Sequence, residues 1–377
     1  MYKNLAATLV AAFSFSFSLC AAAAAANPAP SSPAHPAAPK PPAAPVKAAW
    51  IYMSPITDAG WTRQHETARQ QVQKQLGASV KTSYVANVPE GPDAERVLRD
   101  LVQQGNQIIF TTSFGYMEPA MKVARDFPQV KFEVLTGYRQ AANVATANAR
   151  YYEGRYLSGI AAARMSKSHL IGYVAGFPIP EVLQGINAFT LGARSVNPQA
   201  QVRVIWLNEW FNPARERDAA MLLMDQGADV LAFHTGSTAI PVAVQERGKY
   251  VVAYHSDMRQ FAPTAQIMAV THHWGDYETG RIRALQSGQW RSQNVWHGVR
   301  QGAIRVGDFG RQVPDAVRKE VLARQADIAA GRLHPFTGPV HDQSGKLVVP
   351  AGKTLTDAQL LKMDWLAQGV QSAPIKQ

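Results

Sequence analysis

Short apolar segments alternate with amphipathic segments along most of the chain, and this alternation constrains the fold more than any other feature of the sequence. In the first half the apolar segments are AAWIYMS, SVKTSYV, QIIFTTS and VKFEVLT, with helix-like segments such as DAERVLRDLVQQG between them. Strands that are apolar throughout are typical of parallel sheets covered by helices on both faces. The sequence therefore predicts an α/β fold.

The second half of the chain repeats this alternation. Its apolar segments are HLIGYVAG, VRVIWLN, DVLAFHT, YVVAYHS and AQIMAVT, and the two halves meet near residues 148–154. We therefore expect two doubly wound parallel-sheet lobes. We assign residues 47–150 and about 266–305 to lobe 1, and residues 151–265 and about 306–377 to lobe 2.

The alternation stops after Trp290. The segments NVWHGV and AIRVGD precede a charged segment, VPDAVRKEVLARQADIAAG, which has the pattern of a helix. A Ser-Gly pair within VHDQSGKLVVPAG predicts a hairpin, and TDAQLLKMDWLAQGV predicts a last helix. We expect this C-terminal part to brace lobe 2.

The N-terminal residues have the composition of targeting and spacer segments. Residues 1–26 contain one lysine and an apolar run that ends in small residues, which is typical of a secretory signal peptide. Residues 27–46 are almost all Pro, Ala and Ser, which is typical of an extended linker. The sequence therefore predicts a periplasmic protein with an N-terminal spacer.

Cys20 is the one cysteine of the 377 residues. A lipoprotein signal has Leu three residues before the lipidated cysteine and a small residue directly before it, whereas Phe17 and Leu19 occupy those places. Cleavage near Ala26 is therefore favoured over a lipid anchor at Cys20. A mature chain without cysteine has neither disulfides nor a catalytic thiol.

Charge and motifs argue against nucleic-acid binding and against catalysis. The formal net charge is +11, but Lys and Arg are spread along the chain without a basic run. The GYVAGF segment lacks the full G-x-G-x-x-G pattern, and neither a P-loop nor a G-x-S-x-G motif occurs. His272 and His273 are adjacent on a predicted strand and point to opposite faces. We therefore predict no metal, no cofactor and no catalytic residue.

Parallel sheets place their functional loops at the carboxyl ends of the strands. The loops expected at this edge are 58–61, 112–116, 176–180, 208–212, 234–238 and 256–258. Two such edges that face each other form a cleft between lobes. The arrangement predicts a solute-binding protein whose ligand closes the cleft about a hinge.

Five segments of the chain carry a resemblance to a known family. They are DAGW at 58–61, TTSFGYMEPAMKVARDFPQVKF at 111–132, NARYYEGRYLSGIAA at 148–162, GYVAGFPIPEVLQGINAFTLGAR at 172–194 and MDQGADVLAFHTGST at 224–238. Together they resemble the basic membrane protein family of ABC transporter substrate-binding proteins. The resemblance extends from about residue 48 to about residue 310. It implies a type I periplasmic binding protein of the Venus-flytrap kind, a monomer that delivers its ligand to an ABC permease in the inner membrane.

The resemblance also implies a ligand class. Family members bind purine nucleosides or related bases, and the segments WFNPARERDAA, HPFTGPVHDQSGK and KMDWLAQGV are similar to a subgroup that holds adenine or a related nucleobase. Stacking a base on an aromatic ring contributes roughly 1–3 kcal/mol. Trp61 would supply a ring from lobe 1 and Trp210, favoured over Phe211, one from lobe 2. Simple packing roles for these residues stay open.

Further residues of the predicted site follow from matching positions. Ser113 and Phe114 follow the third strand, and Gly60 lies beside Asp58, which either accepts from a ligand N–H or caps the next helix. Glu153 matches a family glutamate near the ligand, or else it serves as a first-turn helix residue or a partner of neighbouring Arg155.

The loops of the second half carry the remaining candidates. Asp257 corresponds to an acid that helps to hold ribose in nucleoside-binding members, and Trp274 is a candidate cleft wall. Because HTGST and HSDM contain this one carboxylate where the family has several aspartates, the sequence favours a free base. A nucleoside receptor and a sensory binding protein stay as alternatives. A secreted nucleosidase would need an aspartate cluster for a metal, which these segments lack.

Overall fold

Two sheets form the framework of the computed structural model, which describes residues 44–373. The strands are β1 (Val46–Ile51), β2 (Val80–Val85), β3 (Ile108–Thr111), β4 (Lys131–Leu135), β5 (Val144–Ala149), β6 (Leu170–Ala175), β7 (Gln201–Trp206), β8 (Val230–His234), β9 (Tyr250–His255), β10 (Gln266–His272), β11 (Asn294–His297), β12 (Ile304–Gly307), β13 (Val340–His341), β14 (Leu347–Val349) and β15 (Val370–Gln371). The predicted signal peptide and nearly all of the predicted linker lie outside the described residues.

Helices connect most of the strands and cover both sheets. They are α1 (Trp61–Leu76), α2 (Pro92–Gln103), α3 (Met117–Asp126), α4 (Tyr151–Met165), α5 (Pro180–Val196), α6 (Pro213–Asp225), α7 (Ala239–Glu246), α8 (Gly275–Gln286), α9 (Asp315–Ala329) and α10 (Asp357–Leu360). Within residues 44–373, none of them is long and apolar enough to cross a membrane.

The first sheet has the strand order β11-β5-β4-β3-β1-β2 and the second β12-β10-β9-β8-β6-β7-β15. All pairings in the first sheet are parallel, and in the second sheet β12 is antiparallel to β10. Strands β3 and β8 are buried along their whole lengths because helices cover both faces. The predicted doubly wound α/β architecture is confirmed.

Strand β10 lies in the second sheet, although the sequence placed residues from about 266 onward in lobe 1. It pairs with β9 on one side and with β12 on the other. Only α8 and β11 return to the first lobe, where β11 pairs with β5. The chain therefore crosses between lobes at residue 150, at 273–274 and at 298–303. An apolar run such as AQIMAVT contains no information about which sheet it joins.

The C-terminal part is a hairpin followed by irregular chain. Strands β13 and β14 form the predicted antiparallel pair, but the predicted last helix is reduced to the four residues of α10. Beyond α10 the backbone is held by a side chain of α5: Asn187 donates to Trp365 O and accepts from Ala367 N at 2.9 and 2.7 Å. The segment therefore packs on the second lobe, and Asp357 pairs with Arg150 at the first crossover at 2.7 Å.

A buried acid lies where α8 packs on the first sheet. Glu133 of β4 accepts from Arg281, Trp290 and Tyr277 at 2.6 Å each. Glu278, one turn from Arg281, is fully buried, and neither of its carboxyl oxygens has a hydrogen-bond partner within residues 44–373. Burial raises the pKa of Glu278 to about 8; the nearby indole N–H of Trp50 opposes this shift, and the negative charge of Glu133 adds to it.

Glu278→Gln should remove part of the loss of stability that the wild type undergoes as pH rises from about 4.3 to about 8. Because the pKa in the folded protein exceeds the unfolded value, the wild type binds the proton more tightly when folded. This stabilisation is complete below about pH 4.3 and disappears as pH rises through about 8. In urea unfolding, the free energy of unfolding of the variant relative to that of the wild type should therefore increase between pH 5 and pH 8.5, by an amount on the order of a few kcal/mol. Exposed Glu118→Gln is the control, and equal pH dependence of E278Q and wild type would contradict the assignment.

Candidate ligand-binding site

A cavity lies where the carboxyl ends of the two sheets face each other. Its empty space, including the part that is open to solvent, is about 450 Å³. The first lobe lines it with Met53, Trp61, Ser113, Phe114 and Thr136, and the second lobe with Ile179, Glu181, Trp210, His234, Thr235, Gly236 and His255. The sequence thus predicted the correct edge of both sheets.

The lobes touch at the loop that holds Gly60. Its amide donates to Ser256 Oγ of the second lobe at 2.9 Å. Its φ of +103° is one that other residues rarely adopt, and a Cβ atom there would lie 2.2 Å from the carbonyl oxygen of Gly236. The structure is therefore that of a closed cleft, and Gly60 permits the closest contact between the lobes.

Trp61 forms the wall of the cavity on the first lobe. Its Nε1 donates to Thr112 O at 2.8 Å, which anchors the indole to the end of β3. The ring packs against His65 on its own helix and against His255 and His272 of the second lobe, with centroid distances of 4.6, 5.2 and 4.8 Å. Trp61 therefore combines packing contacts with a place in the cavity lining.

Trp210 lies on the opposite lobe. Its ring packs on Phe177, 4.9 Å between centroids, and so close to Gly176 that a Cβ there would be 2.7 Å from Trp210 Cε3. Phe211 does not line the cavity and instead lies beside Gly236, where Phe211 Cδ2 would be 3.4 Å from an added Cβ. Of the two aromatic candidates in this loop, the structure places Trp210 at the cavity.

Glu216, which the sequence analysis missed, holds the two loops that frame the second lobe's side of the cavity. It is fully buried and accepts from Thr235 Oγ1, Ser237 Oγ and the Asn212 amide at 2.8, 2.6 and 3.1 Å. Burial raises the pKa of Glu216, and these donors oppose the shift. Asn212 caps α6 through Arg215 N, but Glu216 lies one residue beyond the place of the acid in a capping box, so the local pattern did not indicate it.

Glu90 plays a comparable part on the first lobe. The Ser113 hydroxyl and the Gly115 amide both donate to Glu90 Oε1, the latter at 3.0 Å. The proton of Ser113 is therefore engaged within the protein. Phe114 lines the cavity and packs on Tyr138, with 5.1 Å between ring centroids.

Two of the predicted carboxylates lie away from the cavity lining. The Asp58 side chain is 82% exposed and 3.9 Å from Arg63, and it does not cap α1. Glu153 is partly buried and accepts from the Val299 amide at 2.7 Å, in the third crossover, rather than pairing with Arg155. Burial raises the pKa of Glu153. Because Glu153 and Val299 are far apart in the sequence, no local pattern predicts their contact.

Asp257 and Trp274 are also outside the lining. Asp257 Oδ2 accepts from Arg259 at 2.6 Å, and Gln266 Nε2 donates to its Oδ1 at 2.9 Å, so both carboxylate oxygens are occupied. The pKa of Asp257 is lowered by these donors against the opposing effect of burial. Trp274 is 3% exposed and donates to His272 Nδ1 at 2.8 Å behind the cavity.

The polar groups that do face the cavity include Glu181 and His234. Asn148 Nδ2 of the first lobe donates to Glu181 Oε2 at 2.9 Å, and His234 Nε2 lies 3.7 Å from Glu181 Oε1. Burial lowers the pKa of His234, Glu181 opposes this shift and Arg155 adds to it. Burial also holds the pKa of His255 well below its usual range. Both imidazoles are therefore neutral at pH 7.

No group of three or more His, Cys, Asp or Glu side chains within residues 44–373 is arranged to hold a metal ion. His272 points into the aromatic layer behind Trp61, whereas His273 Nε2 contacts Thr271 Oγ1. The chemistry of the site is that of a largely apolar, aromatic cavity with a few polar side chains.

Comparisons with known proteins show which proteins this chain resembles in sequence and in fold. A family model described as ABC transporter substrate-binding protein, PnrA-like, matches residues 45–334. A purine-binding protein of Brucella abortus is 47% identical over 86% of this chain and 93% of its own length. A candidate glucose-binding protein of an ABC transporter from Haloferax volcanii is 38% identical over 78% and 74%. The solute-binding protein of Aeropyrum pernix superposes with a TM-score of 0.67 at 17% identity, over 77% of this chain and 93% of that one.

Glu216→Gln should destabilise the protein by roughly 2–4 kcal/mol, because an amide replaces a charged acceptor of several buried hydrogen bonds. Urea unfolding followed by tryptophan fluorescence measures the change. Glu209→Gln is the matched control: Glu209 lies on the loop before α6 and pairs at the surface with Asn212 and Arg215. It should lose much less stability, because exposed ion pairs contribute little. Equal losses in the two variants would contradict the role given to Glu216.

Proposed function

The chain belongs to the PnrA-like (Bmp) family of ABC transporter substrate-binding proteins, and we propose that it captures a free purine base between its lobes and delivers it to an ABC permease. As a substrate-binding protein it is not an enzyme. The observation that carries the proposal is the placement of Trp61 and Trp210, which line one cavity from opposite lobes. A flat ligand between them would contact both lobes through its two faces.

The lining of the cavity suits a purine better than a sugar. Met53, Phe114 and Ile179 add apolar surface to the two tryptophans. A purine is flat and poorly hydrated on its faces, so stacking and a few hydrogen bonds in its plane account for its recognition. A hexose presents hydroxyl groups on all sides, each of which loses water on binding and needs a partner. This is why we favour the ligand class of the Brucella relative over that of the Haloferax relative.

The positions of the carboxylates favour a base over a nucleoside. A ribose adds hydroxyl groups that need acceptors inside the closed cleft. Asp257 and Glu153, the residues expected to supply them, have other partners outside the cavity. Glu181 is the one carboxylate among the described lining residues. A single acceptor is enough for the N–H groups of a free base.

Ligand binding would act on the hinge. A ligand that touches both lobes binds the closed form better than the open form, and this difference in affinity shifts the equilibrium towards closure. We infer that the closed, loaded form docks on the permease from the periplasmic side. The N-terminal segment with the composition of a signal peptide supports this location.

Trp210→Ala and Trp61→Ala should each weaken adenine binding roughly 5- to 150-fold, which corresponds to the loss of about 1–3 kcal/mol of stacking. Calorimetric titration of ligand-free protein with adenine and with adenosine measures both affinities. Trp206→Ala is the control, since Trp206 bonds to Ser372 away from the cavity. No binding of either ligand by the wild type would overturn the purine assignment, and tighter binding of adenosine would replace the base with a nucleoside.

Gly60→Ala should weaken adenine binding at least tenfold, because the added methyl group collides with Gly236 O in the closed cleft. Gly91→Ala is a matched control: Gly91 has a φ of +90°, close to the +103° of Gly60, but nothing lies within 4 Å of an added Cβ. The two variants carry similar backbone strain and differ in the contact between lobes. Similar affinities in the two variants would show that closure at Gly60 does not govern binding.

A further inference from the structure

We propose that Glu181 and His234 select the ligand by its edge: Glu181 accepts a hydrogen bond from a ligand N–H, and His234 Nε2–H donates to a neighbouring acceptor on the same edge. The inference rests on the proposed purine function. It identifies a specificity-determining pair that the sequence motifs did not indicate.

Glu181 is placed to accept a hydrogen bond from a ligand in the cavity. It lies in the first turn of α5, where the helix dipole favours a negative charge, and its side chain is 12% exposed. One oxygen accepts from Asn148 at 2.9 Å, while the other makes no hydrogen bond within the described chain. A carboxylate oxygen accepts more than one hydrogen bond, so Glu181 retains capacity for a ligand donor.

Asn148 joins the two lobes through its hydrogen bond to Glu181. It lies on β5 in the first sheet, and its Oδ1 accepts from the Ala149 amide at 2.7 Å. That bond fixes the amide so that Nδ2, the donor, faces Glu181 of the second lobe. The acceptor is therefore held in this orientation in the closed cleft.

His234 carries its proton on Nε2 when its ring is neutral. Its Nδ1 is buried, and neither this atom nor Nε and Nη1 of Arg155 has a hydrogen-bond partner within the described residues. An added Cβ at Gly185 would lie 3.6 Å from His234 Nδ1 and from Tyr173 Oη, and 3.7 Å from Arg155 Cγ. The positive charge of Arg155 favours a lone pair over an N–H on the buried Nδ1, and the carboxylate of Glu181, 3.7 Å from Nε2, favours the proton there.

The other polar side chains of the lining differ in their partners. Ser113 and Thr235 donate their hydroxyl protons to Glu90 and Glu216, and Trp61 donates its N–H to Thr112. Thr136 Oγ1 and His255 Nδ1 are buried without a partner within the described residues. Glu181, the one carboxylate of the described lining, and His234, 3.7 Å away, offer an acceptor beside a donor. The complementary edge is an N–H beside a ring nitrogen or carbonyl, which purines provide and which an apolar or fully N-alkylated ring does not.

The test combines a protein change with a ligand change. Glutamine in place of Glu181 keeps the shape and can accept from Asn148 with its oxygen, which turns its NH₂ towards the ligand donor. Calorimetry should show adenine bound at least tenfold more weakly by E181Q than by wild type. N6,N6-dimethyladenine lacks the N6–H groups and 9-methyladenine lacks the N9–H. The one that lacks the N–H bound by Glu181 should show less than a threefold difference in affinity between the two proteins. Glu246→Gln, on the surface of the second lobe, is the control.

Two outcomes would overturn this inference and leave the proposed function intact. Either E181Q and wild type bind adenine with equal affinity, or the substitution lowers the affinity for all three ligands by the same factor. Absence of purine binding by the wild type overturns the proposed function and with it this inference. His234→Gln, whose NH₂ replaces Nε2–H, should retain adenine binding within threefold, whereas His234→Ala should lose at least fivefold. Equal binding by these two variants would contradict the role of His234, and circular dichroism establishes that each variant is folded.

Discussion

The close approach of Gly60 to Gly236 sets the geometry on which the rest of the cleft depends. Because no side chain separates the two backbones, the carboxyl ends of both sheets come together and enclose a cavity instead of an open groove. The hydrogen bonds from Gly60 to Ser256, from Asn148 to Glu181 and from Gln64 to His272 O then cross between the lobes. Because the cavity is only partly open to solvent, its contact with water is reduced, and polar contacts to a ligand are stronger there than at an exposed surface.

The hinge lies behind this contact and is reinforced by a segment outside the residues that match the family model. That match ends at residue 334, and the chain beyond it packs on α5 and extends the second sheet by β15. It also returns to the first crossover, where Asp357 pairs with Arg150, and Arg150 in turn donates to Trp296 O of β11. The C-terminal part thus packs on the second lobe and also contacts the first of the three crossovers.

Sequence reasoning succeeded where the answer depends on periodicity and failed where it depends on long-range packing. Apolar strands and their terminal loops placed Trp61 and Trp210 at the correct edge of each sheet. Local patterns did not reveal that β10 pairs with β9, that Glu153 faces the third crossover, or that Glu181 faces the cavity. Each of these depends on how elements far apart in sequence pack together. Asp257 is an exception, since Arg259 two residues away was a visible partner.

Small-angle X-ray scattering of the ligand-free protein, recorded before and after addition of adenine, tests whether a purine base holds the two lobes together. If a purine base holds the two lobes together, saturating adenine will reduce the radius of gyration and bring the scattering curve to that calculated for the closed structure. If adenine binds and the scattering does not change, the base does not control closure and the account of the cleft is wrong.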